Sequence, residues 1–183
     1  MPIHLQPTPV AITLIRCAIV VVVTSLPCHI ESAAGEPVFS LAGSDKDLTL
    51  PEGVVRTDKP DALAFSGTPI RLDPTAASEW LPEKAITIEA WDRVNKSAPW
   101  AGIAGCLQDN GTYERGWVLG CHATTFFFGI AADKSKRFTY LNADMQLAEG
   151  AWYHVVGTYD GKVQRIYVDG KLAGESQVQA GDI

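Results

Sequence analysis

Few groups in this chain are spaced for covalent chemistry. Cleaving a glycosidic bond needs two carboxyl groups on one surface, one donating a proton and one acting as base or nucleophile. The nearest pair is Glu89 and Asp92. In an extended strand successive side chains alternate between faces, so this odd spacing sends them to opposite sides and makes no acid–base pair. His154 has the chemistry of a general base, but no motif places a Ser, Cys or Asp beside it. It alternates in phase with Trp152, Val156 and Thr158, which suits a packed strand face. His122, after Cys121, has no stronger claim. No catalytic residue is assigned.

Two further kinds of chemistry remain. Cys106 and Cys121 flank the turn-forming stretch Gln108-Asp109-Asn110-Gly111. A hairpin folded there would set them opposite each other, and a Cys106–Cys121 disulfide is expected in an oxidising compartment. Two buried thiols are the alternative reading. No Cys-x-x-Cys or paired-histidine spacing indicates zinc. Trp100 and Tyr113 sit in loop-like surroundings, where an aromatic ring can stack on a pyranose face or fold over the edge of a sheet.

The elements that must hold these groups read as strands. The chain has 183 residues, 46% hydrophobic and 20% charged, which suits one globular domain with a core of its own. A net charge of -6 disfavours nucleic acid and anionic membrane surfaces as partners. Arg16, the apolar run Cys17 to Val23 and the small residues Ser32-Ala33-Ala34 read as a signal peptide over residues 1–34. Its apolar run is well short of the roughly 20 residues that span a bilayer, so no membrane span is expected after removal. A secreted, periplasmic or cell-surface location follows.

Residues 35–61 read as an opening strand, Val38-Phe39-Ser40-Leu41, and a polar linker containing Pro51, Gly53 and Pro60. Residues 62–183 form the body. Short extended runs recur there between Gly, Pro, Asn and Asp, without the 3.6-residue period of a long amphipathic helix. Ile86, Ile88 and Ala90 alternate with Thr87, Glu89 and Trp91. Asp160-Gly161 and Asp169-Gly170 tolerate the positive φ angles of tight hairpins, so residues 152 to 176 read as a β-meander. The fold class expected is all-β.

Several of these runs carry a resemblance. Ala62-Leu63-Ala64-Phe65-Ser66-Gly67, Ile86-Thr87-Ile88-Glu89-Ala90-Trp91, Gly116-Trp117-Val118-Leu119-Gly120, Phe126-Phe127-Phe128-Gly129-Ile130, Trp152-Tyr153-His154-Val155 and Tyr167-Val168-Asp169-Gly170 follow one another in this order. From about Ala62 to Ser176 the chain resembles the laminin G-like domain of the concanavalin A-like lectin/glucanase superfamily. The resemblance implies a two-sheet antiparallel jelly-roll sandwich with Trp91, Trp117, Trp152 and Tyr167 packing its core. It also implies a non-catalytic module that binds carbohydrate or an extracellular protein. The family's closing strands would follow Ile183, so the jelly roll is expected to be incomplete and the chain to be the N-terminal part of a larger secreted protein. Jelly-roll glucanases share the fold, but their Glu-x-Asp-x-x-Glu pattern is absent here. Glycoside hydrolysis and a ligand-free spacer stand as alternatives. Gln108-Asp109-Asn110 resembles the calcium-ligand stretch of pentraxins, which makes Asp109 and Asn110 candidate calcium ligands, although calcium takes ~6–8 oxygens. A hairpin turn is the plainer reading of the same residues.

Overall fold

A computed structural model of the chain describes residues 20–21, 46, 49–57, 62–71, 81–109, 114–135 and 137–183, with the backbone alone at 20, 21 and 109. The opening strand at 38–41 and most of the proposed signal peptide lie outside the described residues. No described helix is long and apolar enough to cross a membrane.

The described residues are all-β. Their strands are β1 (Val20–Val21), β2 (Val54–Thr57), β3 (Ala62–Phe65), β4 (Ile86–Arg93), β5 (Ala101–Asp109), β6 (Glu114–His122), β7 (Thr125–Ala131), β8 (Thr139–Asn142), β9 (Trp152–Tyr159), β10 (Gln164–Val168) and β11 (Lys171–Ser176). Two four-stranded antiparallel sheets, ordered β11-β10-β9-β4 and β5-β6-β7-β8, face each other across one core. A small sheet, β1-β3-β2, joins them. Val54–Thr57 corrects the linker reading, because it pairs with β3 in register Val54↔Phe65 to Thr57↔Ala62. Ile70 and Arg71 lie outside any strand.

Alternation decides what enters the core. Phe126, Phe128 and Ile130 of β7 meet Val155 and Tyr159 of β9 and Ile166 of β10 in the main cluster. In β3, Leu63 and Phe65 join that cluster, while Ala62 and Ala64 pack on Trp91 and Trp152. Those two tryptophans therefore lie beneath the small sheet on the outer side of β4 and β9. The meander forms as read, with positive φ at Asp169 (50°) and Gly170 (74°) turning β10 into β11. Buried polar groups are bonded across the layers: Gln164 Nε2 donates to the Phe128 carbonyl at 2.6 Å. Gln179 Nε2 donates to the Arg137 carbonyl at 2.8 Å, and its Oε1 accepts from Ala132 N at 2.8 Å. The last residues are thereby tied to the sandwich.

Candidate functional site

The outer face of the β5-β6-β7-β8 sheet carries a continuous group of aromatic rings. In Phe126-Phe127-Phe128 the outer two point inward and Phe127 points out. An outward Phe would normally be wet, yet this one is only 3% exposed. Trp100, in the connection just before β5, crosses it edge-on at 5.4 Å and 71°. Tyr140 of β8 meets it at 5.4 Å and 75°. Glycine sits under the rings: a Cβ on Gly120 would lie 2.7 Å from the Phe127 ring, and one on Gly129 would lie 2.5 Å from the Phe138 ring. Rings laid across a glycine cover backbone that would otherwise face water.

Two rings of this face reach solvent. Trp100 is 44% exposed and Tyr140 38% exposed, their centroids 5.1 Å apart. Phe138 continues the row at 4.9 Å from Tyr140. His122, at the end of β6, stacks on Trp100 and is half-buried. Asn142 stands exposed two residues beyond Tyr140 on the same strand face, an amide able both to donate and to accept. Beyond Phe138 the face dips into a depression of about 350 Å³ lined by Glu114, Ser135, Arg137 and Phe138. Glu114 Oε2 accepts from Phe138 N, which holds the loop against β6. Flat rings beside hydrogen-bonding groups suit a flat, amphipathic ligand.

A laminin G family profile, described as the concanavalin A-like lectin/glucanases superfamily, matches residues 67–183. The chain belongs to the concanavalin A-like lectin/glucanase superfamily. It is also 32% identical over 133 residues to "Pappalysin-1" of Mus musculus and to "Pappalysin-1" of Homo sapiens. Each match covers 67% of this chain and 8% of the relative, so the chain spans a small part of those proteins.

Among the residues singled out from sequence, this superfamily member brings Trp100 into the aromatic face. Tyr113 and Asn110 lie outside the described residues. Asp109 ends β5 and pairs with Glu114, the first residue of β6. Among the described residues no three His, Cys, Asp or Glu side chains converge as a metal-sized group.

The expected disulfide is corrected by the register. Cys106 faces Trp117 and Cys121 faces Ala101 across the β5–β6 ladder, and both remain thiols. Cys106 would need to face position 121 but faces 117, four residues away. At roughly 3.4 Å per residue this holds the Cα atoms far outside the roughly 7 Å limit for bridging. Burial raises the Cys106 thiol pKa, which disfavours the thiolate.

Glu89 and Asp92 lie on opposite faces of β4. The Glu89 side chain is 54% exposed, and its Oε2 lies 3.2 Å from His154 Nε2. Asp92 is fully buried. His154 stacks on Trp91 at 5.1 Å and receives support at its backbone N–H from Asp169 Oδ1 at 2.9 Å. A histidine held between an indole and a surface carboxylate belongs to the packing of the outer β4–β9 face.

The sequence singled out His122 only as a weak candidate base and did not mark Phe127, Phe138 or Tyr140 as part of a site. The available signal was the middle Phe of a Phe-Phe-Phe run between glycine-bearing strands, whose outward position alternation alone predicts.

Proposed function

We propose that this chain is a non-catalytic recognition module that binds carbohydrate on the outer face of the β5-β6-β7-β8 sheet. One observation carries the reading: Trp100 and Tyr140 present neighbouring exposed rings, 5.1 Å apart and inclined at 56°, on the outer face of the sheet. A pyranose has an apolar face for such rings and hydroxyls for the groups around it. Asn142 supplies a polar partner, and the depression beyond Phe138 extends the surface for a second sugar unit. The carboxyl groups that would argue for hydrolysis, Glu89 and Asp92, point to opposite faces of β4, a strand of the other sheet.

The apolar run after Arg16 and the small residues ending at Ala34 support an exported protein, whose secreted form is expected to begin at Gly35. The test of function is a glycan array probed with the purified chain and with Trp100→Ala. A set of glycans held by the wild type and released at least tenfold more readily by the variant is expected, with an unchanged melting temperature. An array without bound glycans, or a variant that binds like the wild type, refutes the reading.

A further inference from the structure

Asp92 is the one carboxyl group among the described residues with no exposed surface. Its position follows from alternation, since Ile86, Ile88 and Ala90 of β4 turn inward and Asp92 is next in phase. Opposite it on β9 is Tyr153, whose ring packs edge-on against Phe126 at 5.5 Å. Two residues on, Val94 is fully buried. The other buried polar side chains, Gln164 and Gln179, are bonded at both ends of their amides. Neither oxygen of Asp92 has a well-formed hydrogen bond among the described residues. An ionised carboxylate in that setting loses its water and gains nothing in exchange, whereas the neutral acid is tolerated.

We propose that Asp92 is a proton-operated latch: protonated, it lets the end of β4 close on the core, and ionised, it loosens that end of the sandwich. Burial raises its pKa from 3.8 to about 7, and the Arg93 backbone N–H offsets only part of the rise. The titratable groups on the adjoining elements are Tyr153 on β9, whose hydroxyl accepts from Ala148 N, Arg93, which lies over the Trp152 ring on the opposite face, and Glu149, which accepts from Ser97 N. None of them supplies a charge that acts on Asp92.

The latch sits where it reaches the aromatic face. Beyond β4, Gly150 N donates to the Val94 carbonyl at 2.8 Å and Ala123 N donates to the Ala98 carbonyl at 2.9 Å. The segment held by these bonds leads directly into Trp100. A carboxyl group whose folded pKa lies above its unfolded value favours the fold most fully below about pH 4, and this contribution is lost as pH rises through about 7. The inference is independent of what the aromatic face binds.

The test is urea unfolding of the full chain at about pH 5 and about pH 8, for the wild type and Asp92→Asn, with the ¹³C carboxyl signal of Asp92 followed by NMR in the wild type. The wild-type folding constant is expected to fall on the order of a hundredfold relative to the variant over this range, with a carboxyl midpoint above about pH 6. A relative fall below about tenfold, or a midpoint at or below about pH 6, overturns the latch. If the Asn variant does not fold, Asp92→Val replaces it, and the carboxyl titration needs no variant.

Discussion

The indole of Trp100 stacks on the imidazole of His122, centroids 4.1 Å apart and planes 28° from parallel. Trp100 precedes β5 and so lacks a strand's own constraint on its side chain. His122, the edge of Phe127 and the Tyr140 ring hold it against the sheet instead. His122→Ala removes one of these three supports while leaving the indole in place. An aromatic pair contributes about 0.5–1.5 kcal/mol beyond burial, which corresponds to a roughly twofold to tenfold loss of glycan affinity. His122→Phe keeps a ring there and is expected to bind within about twofold of the wild type. Titration calorimetry with a glycan selected on the array separates the two outcomes, and equal weakening by both variants would show that the imidazole contacts the sugar itself.

The close approach at Gly120 predicts a second effect. A Cβ at Gly120 would sit 2.4 Å from the Ala101 carbonyl oxygen and 2.7 Å from the Phe127 ring. The ring can swing away, but the carbonyl belongs to the β5–β6 ladder and cannot. Gly120→Ala is therefore expected to cost about 1–3 kcal/mol, the range for overpacking a close-packed site. Urea midpoints of the two proteins check it, and a variant as stable as the wild type would mean that the strands part without loss.

Alternation made much of the fold legible. The phase of Ile86, Ile88 and Ala90 set the face of every residue in β4, including the separation of Glu89 from Asp92, and the Asp169-Gly170 pair marked its hairpin. Register was another matter. The turn residues between Cys106 and Cys121 suggested a pairing, but Cys106 lies four residues before Asn110 and Cys121 ten after Gly111, and the ladder, with its irregularity between Gly102 and Ala104, sets Cys106 opposite Trp117. The aromatic face was hidden for the same reason. That Gly120 lies opposite Phe127 and Gly129 opposite Tyr140 is known only once the strands are paired. Trp100 stood out because its surroundings read as a loop, whereas Phe127 and Tyr140 lie within strand-like runs that give no sign of which rings meet.

The same register predicts the thiol chemistry. Alkylation of the denatured protein without reductant, followed by peptide mapping, is expected to find both Cys106 and Cys121 modified. In the native protein Cys121, which is fully buried, should react far more slowly than the half-buried Cys106. Recovery of a linked peptide containing both residues would require a β5–β6 pairing four residues away from the one described here.

The turn between β9 and β10 gives a prediction about acid. Asp160 Oδ1 accepts from Val163 N at 2.8 Å and from Lys162 N at 3.0 Å, and its Oδ2 lies 3.2 Å from an Arg165 guanidinium nitrogen. The Val163 N–H is the strongest of the influences holding this carboxyl below the usual carboxylate range, with Lys162 N–H and Arg165 adding to it. A carboxyl whose folded pKa is depressed stabilises the fold above its unfolded value, near 3.9, and that stabilisation is lost as pH falls through the folded value. Asp160→Ala is expected to destabilise the protein at neutral pH by about 1 kcal/mol, a modest figure because the side chain is half in water. Asp160→Asn keeps an acceptor for the two backbone N–H groups but cannot titrate. Its stability should therefore converge on that of the wild type as the pH falls below about 4, and the gap should reopen above it. Thermal melts of the three proteins across the acid range test this. A wild-type and Asn pair that stay parallel throughout would place the acid sensitivity of the module elsewhere.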